Sequence, residues 1–124
     1  MPQSASRRRL VLASTSRYRR SLLERVGLSF ESLPPGVDET PRPGEPGPDL
    51  VRRLAREKAE GGARQRPDAI VIGSDQLAMR DGDTLGKPGT HAAAVAQLVA
   101  SSGRELRFFT AVCLLDAATG ATQN

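Results

Sequence analysis

Cysteine, histidine and aromatic side chains are all scarce in this chain. A single cysteine, Cys113, stands among 124 residues. No disulfide can close within the chain, and no thiolate metal cluster can be built from it alone. A reducing cytoplasm is the compartment this favours. Tyr18, Phe30, Phe108 and Phe109 are the whole aromatic complement, too little for the base-stacking platforms of single-strand nucleic-acid binders. The one histidine, His91, has no cysteine or second histidine beside it and reads as a first-turn helix residue rather than a zinc ligand. No apolar run approaches the length of a membrane span. Leu10 to Ala13, behind the basic MPQSASRRR, is also too short for the apolar region of a signal peptide. Neither G-x-x-x-x-G-K-[ST] nor G-x-G-x-x-G occurs, which argues against a P-loop or dinucleotide-binding fold.

What is present fits one modest domain: 38% of residues are hydrophobic and 26% charged, and a chain of this length buries well over half of its unfolded surface. The net charge of +4 favours an anionic partner. Residues 1–9 are expected to form a flexible basic arm ahead of a domain over 10–124. Leu10 to Ala13 predicts a strand, stopped by Ser14-Thr15-Ser16, where a hydroxyl caps a helix that runs to Gly27. Leu28 to Leu33 predicts a second strand. PPGVDETPRPGEPGPD then holds six of the nine prolines and reads as a long loop. Asp49 is expected to cap a helix with Leu50, Val51, Leu54, Ala55 and Ala59 on one stripe, ending at Gly61-Gly62. Ala69 to Ile72 predicts a strand covered on both faces, Thr90 caps an alanine-rich helix to about Ser101, and Leu106 to Leu115 alternates as a closing strand. Alternating strands and helices argue an α/β domain with a partly parallel sheet.

In such sheets ligands collect outside the carboxyl ends of strands. Two segments fit. In ASTSRYRR, Ser14 and Ser16 can donate to phosphate oxygens while Arg19 and Arg20 supply charge beside a helix start; a capped helix with a solvated basic face is the plainer alternative. In GSDQ followed by GKP, Asp75 at a strand end can act as general base or hold a divalent metal against phosphates, and Lys87 can neutralise a leaving group. Two ordinary polar turns would look the same. Asp38 and Glu39 in the proline-rich loop are either part of a hard-cation site or solvated acids. Lys58 on the apolar stripe either snorkels to water, the more ordinary outcome, or points into the cleft. Cys113 in an apolar strand reads as core.

Taken together, LVLASTSRYRRSLLERVGLSFE, GVDETPRPGE, LVRRLAREKA and VIGSDQLAMRDGDTLGKPGT resemble the Maf family of nucleoside triphosphate pyrophosphatases in order and spacing along nearly the whole chain. Gln76 after Asp75 resembles the branch that hydrolyses 7-methyl-GTP; threonine typically stands there in the dTTP/UTP branch. The resemblance implies an α/β fold of the anticodon-binding-like or ITPase-like type, a sheet flanked by helices. It further implies a divalent cation (Mg2+ or Mn2+), cytoplasmic residence, and hydrolysis of the α–β phosphoanhydride to a monophosphate and pyrophosphate. It matches Asp75 to the proton acceptor, with Lys87 as its catalytic companion. Glu39 and Asp75 are matched to the metal, and Ser14, Ser16, Tyr18, Arg19, Lys58 and Gln76 to substrate. The expected partner is a small-molecule nucleotide, with no specific nucleic acid and no membrane; self-association as a homodimer stays open. Family members run longer, so 10–124 is expected to be the N-terminal part of the family's domain with the second lobe incomplete. A second reading is therefore an inactive fragment that binds nucleotides or self-associates, and a third a dTTP/UTP pyrophosphatase.

Overall fold

The computed structural model describes residues 8–81, 83–85 and 90–124. The chain runs β1 (Leu10–Ala13), α1 (Arg17–Val26), β2 (Glu31–Leu33), α2 (Gly47–Gln65), β3 (Ile70–Arg80), β4 (Asp83–Leu85), α3 (His91–Ser101), β5 (Leu106–Asp116) and β6 (Thr122–Gln123). Six strands form one sheet in the order β2-β1-β3-β5-β6, with β4 beside the far end of β3. β2, β1 and the start of β3 are parallel, whereas β4, β5 and β6 join antiparallel. The α/β class and the partly parallel sheet expected from the sequence are both present.

Local chemistry explains the first elements. Ser16 caps α1 by accepting from Arg19 N at 3.3 Å, and Gly27 ends it at φ 86°, a left-handed conformation that costs glycine nothing. Thr90 caps α3 in the same way. The chain steps from β1 to β2 on one side and back past β1 to β3 on the other. Right-handed crossovers therefore put α1 and α2 on opposite faces of the sheet.

Three elements differ in their bounds from the sequence expectation. β2 starts only at Glu31. α2 begins at Gly47, with Pro46 as its cap and Asp49 inside the first turn, and it runs through Gly61 and Gly62 to Gln65. Those two glycines do not stop the helix; they let it approach its neighbours. A Cβ on Gly61 would collide with the Pro35 carbonyl, and one on Gly62 would lie 2.7 Å from Val71 Cγ1 and 3.0 Å from Ala13 Cβ. β3 continues to Arg80, so Ser74, Asp75 and Gln76 lie within a strand rather than after one. Neither β4 nor β6 is foreseen in the sequence.

The core lies between α2 and the sheet. Val11, Ala13, Leu33, Ala55, Ala59, Val71, Cys113 and Leu115 are all buried there, and each large aliphatic member contributes roughly 1.5–3 kcal/mol by leaving water. On the opposite face Phe108, Val112 and Leu114 of β5 stay exposed. Cys113 is wholly buried, and burial pushes its thiol above its ordinary pKa; it is core, as its surroundings in sequence suggest.

Residues 1–7 of the expected basic arm lie outside the described residues. Arg8 is fastened: it lies 2.7 Å from Asp116 Oδ2 and donates to the Asp68 carbonyl. The hydrogen bond from Arg8 holds the Asp116 carboxyl at about 2. A depressed carboxylate stabilises the fold fully above its unfolded value of about 3.9 and loses that contribution as pH falls towards its folded value. Asp116→Asn is thus expected to melt slightly below the parent near neutral pH, with the gap closing as pH drops from about 5 to about 2. Melting curves at several pH values check this; a gap that does not change with pH would dismiss the ion pair as its source.

Candidate active site

Asp75 sits in the middle of β3, where the sheet splits. β5 pairs with the whole of β3 along one edge. On the other edge β1 pairs with Ile70–Ile72 and β4 with Ala78–Arg80. Among the described residues, 73–77 have no strand partner on that side. A notch therefore opens past the carboxyl ends of β1 and β2, the place where open α/β sheets keep their ligands.

Alternation along β3 sends neighbouring side chains to opposite faces. Val71, Gly73 and Asp75 face α2, and Ser74 and Gln76 face the other way. On α2, Leu54, Ala55, Lys58, Ala59 and Gly62 recur at helical spacing and are all buried. Lys58 keeps only 6% of its surface exposed. Its Nζ donates to Asp75 Oδ1 at 3.0 Å and lies 3.2 Å from Glu39 Oε1 in the proline-rich loop. A buried ammonium requires such compensation. The snorkelling that a lysine on an apolar stripe usually shows does not occur, because the Asp75 carboxylate waits inside and Glu39 meets the ammonium at the rim.

A cavity of about 250 Å³ adjoins this triad, lined by Ser14, Thr15, Ser16, Arg19, Glu39 and Lys58 among others. Ser14 is buried; its Oγ accepts from Ser16 N at 3.0 Å, while its carbonyl accepts from Ser32 Oγ at 3.1 Å. That fixes the turn between β1 and α1. Ser16 Oγ is engaged as the helix cap, yet a hydroxyl accepting there still has its own hydrogen to donate. Free N–H groups of the first turn of α1 and the Arg19 guanidinium make this end of the cavity receptive to anions. A larger hollow of about 310 Å³, lined by Pro48, Val51, Phe109 and Val112 among others, contains no paired acids.

The structure thus brings Ser14, Ser16, Arg19, Glu39 and Lys58 to one cavity, with Asp75 joined through Lys58. Thr15 belongs with them; its place between two named serines was the available signal. Tyr18, exposed on the first turn of α1, and Gln76, exposed on the sheet face away from Asp75, are not in that lining. Lys87 lies outside the described residues. Asp38 is turned to its own loop: Oδ1 accepts from Thr40 N at 2.9 Å and Thr40 Oγ1 at 2.6 Å, which lowers its pKa. His91 is the exposed first residue of α3. No cluster of three or more acidic, histidine or cysteine side chains suited to a metal occurs among the described residues. Glu39 and Asp75 nevertheless converge on one cation, Lys58, and two carboxylates completed by phosphate and water oxygens are an ordinary donor set for Mg2+. No described helix is long and apolar enough to cross a membrane.

The family model for Maf-like proteins matches residues 9–124. The 7-methyl-GTP pyrophosphatase of Aromatoleum aromaticum is 56% identical over 112 residues, covering 90% of this chain and 58% of that protein. The 7-methyl-GTP pyrophosphatase of Ralstonia nicotianae is 53% identical over 115 residues, covering 93% and 59%. The chain therefore spans less than two thirds of the length of these curated relatives. A crystal structure of a nucleoside-triphosphatase / dITP/XTP pyrophosphatase from Mycobacterium abscessus superposes with a TM-score of 0.56 at 20% identity, over 93% of this chain and 68% of that one; at such identity the likeness is one of fold. With the family model matched from just before β1 to Asn124, and relatives more than half identical over nine tenths of its length, the chain belongs to the Maf-like protein family.

Proposed function

We propose that this chain carries the hydrolytic site of a nucleoside triphosphate pyrophosphatase that converts 7-methyl-GTP and water into 7-methyl-GMP and diphosphate. The observation that carries the reading is Asp75, paired at 3.0 Å with the buried ammonium of Lys58 beside a cavity bordered by the N-terminal turn of α1. The names of the curated relatives supply the nucleotide.

Asp75 accepts a proton from water as the water oxygen bonds to the α-phosphorus and the bond from that phosphorus to the α–β bridging oxygen breaks. Lys58 keeps the Asp75 carboxylate aimed. Ser14, Ser16, Arg19 and the amides at the start of α1 bind phosphate oxygens, so their dipoles meet the charge that develops there. Asp75 and Glu39 would hold Mg2+ or Mn2+, whose chemistry is to polarise a phosphoryl oxygen. Tyr18 and Gln76 are assigned to the base. This is supported by their placement, because α1 and the Gln76 side chain both lie on the sheet face opposite α2. Lys87 is assigned to the leaving pyrophosphate, by resemblance alone. The site is proposed to act in the cytoplasm on a small-molecule nucleotide, and a homodimer is compatible with it.

The test is pyrophosphate release from 7-methyl-GTP, GTP, dTTP and UTP with Mg2+ or Mn2+. Release from 7-methyl-GTP at least about tenfold faster than from the others is expected. Preference for dTTP or UTP would overturn the substrate, and no release by a folded chain would overturn the activity in favour of a nucleotide-binding module.

A further inference from the structure

Glu39 reaches the site from a segment with no regular structure between β2 and α2, so something else must hold it in place. Arg53 of α2 does so. Its Nε donates to Glu45 Oε2 at 2.7 Å and its Nη2 to Glu45 Oε1 at 2.9 Å, a two-pronged pair. Nη1 donates to Glu57 Oε1 at 3.0 Å. Nη2 also reaches the carbonyl of Thr40, next after Glu39, at 3.2 Å. Glu45 in turn accepts from Arg42 N at 3.1 Å, and Arg42 Nη2 lies 3.7 Å from Glu57 Oε2. The side chains of Arg53 and Glu45 are only 14% and 11% exposed, so this network is far better shielded than an ordinary surface pair. The hydrogen bond from Arg53 holds the Glu45 carboxyl at about 2, and the clamp stays charged throughout the neutral range.

Arg53 and Lys58 rise from the same helix. Arg53 grips the loop on both sides of Arg42, and Lys58 receives the carboxylate that the loop presents. We propose that Arg53 is a positioning residue: by clamping Glu45 and the Thr40 carbonyl it fixes Glu39 against Lys58 and Asp75, and thereby sets the affinity of that acid pair for a divalent cation. The cation half rests on the hydrolytic reading above; the loop half does not.

The experiment compares the parent chain with Arg53→Met and Arg53→Lys. Amide exchange is read first, at Thr40 and Arg42, whose N–H groups are both hydrogen-bonded within the loop. It is expected to quicken about tenfold or more in Arg53→Met, with β3 unchanged. Mn2+ binding, followed by paramagnetic resonance without nucleotide, is expected to weaken about tenfold in Arg53→Met, as the loss of an outer partner to a metal ligand does. Arg53→Lys recovers part of it, since a lysine cannot serve all these acceptors at once. In turnover, the Mn2+ concentration for half-maximal rate rises while KM for the nucleotide stays within about twofold, a separation that general destabilisation does not produce. A folded Arg53→Met with parental loop exchange overturns the clamp. A loosened loop with parental Mn2+ affinity overturns its link to the cation. A parent chain that binds no Mn2+ and releases no pyrophosphate overturns the hydrolytic reading and the cation half together, and loop exchange still decides the clamp. Should Arg53→Met fail to fold, Glu45→Gln is read the same way.

Discussion

Asp75→Asn is expected to slow pyrophosphate release from 7-methyl-GTP by roughly 10²–10⁴-fold, the range for losing a positioned general base. The amide can still accept a hydrogen bond from Lys58 Nζ, now 3.0 Å from the carboxylate, so the side chain keeps its shape and a partner. It cannot take a proton from water. The loss therefore falls on kcat, with KM changed by no more than a few fold. Asp75 is also assigned to the cation, so the comparison is made at saturating Mn2+, where a weakened cation site alone would be refilled. One cost is structural: among the described residues Lys58, with 6% of its surface exposed, keeps only Glu39 as a charged partner, and a modestly lower melting temperature is expected. Turnover within about twofold of the parent in a variant shown to be folded would remove Asp75 from the chemistry.

The second large effect concerns the fold that holds Asp75. Gly73 lies two residues earlier on the same face of β3, under α2. A Cβ there would strike the Ala55 carbonyl oxygen, lie 2.5 Å from Ala59 N and 2.9 Å from Ala59 Cβ. Two of those three atoms are helix backbone, which cannot turn aside as a side-chain end can. Gly73→Ala must push α2 off the sheet around Val71, Ala59 and Cys113, and loosening the best-packed region costs about 3 kcal/mol. For a chain of this length that is a fall of roughly 10 °C in Tm. Gly120→Ala makes the control: nothing stands within 4 Å of its Cβ, and only a positive φ of 79° opposes it, a cost nearer 1 kcal/mol. Chemical denaturation of the two variants checks the order. Equal losses would mean that α2 yields easily and that contact with Gly73 does not set its height. Because Lys58 precedes Ala59, Gly73→Ala should also disturb the Lys58–Asp75 pair.

What the sequence made legible was local. Ser16, Gly27 and Thr90 act through neighbours within four residues, and the helix ends they mark are where their chemistry puts them. The course of α2 was hidden because Gly61 and Gly62 resemble a stop signal, and only Pro35, Val71 and Ala13, distant in sequence, require them to be small. The polar run Ser74–Gln76 looked like the end of a strand because its compensation is supplied from elsewhere. Lys58 answers Asp75 across 17 residues, and β5 continues the ladder from Cys113 to Thr110 opposite Gly73 to Gln76. The site followed the same division. Its serines and Arg19 could be read from one hydroxyl-rich turn. That Lys58 faces inward could not, since an apolar stripe with one lysine is compatible with either direction until its partners are in place.

The pairing of Gly73 with Cys113 gives the molecule a built-in clock. Cys113 is the chain's one thiol and is fully shielded where α2 packs over the β3–β5 pair. A small thiol reagent can reach it only when α2 lifts from that face of the sheet. The rate of modification in plain buffer, divided by the rate for an open thiol, gives the fraction of time that α2 spends off the sheet. One absorbance trace, with no denaturant, thus measures how often the helix carrying Lys58 leaves the strand carrying Asp75.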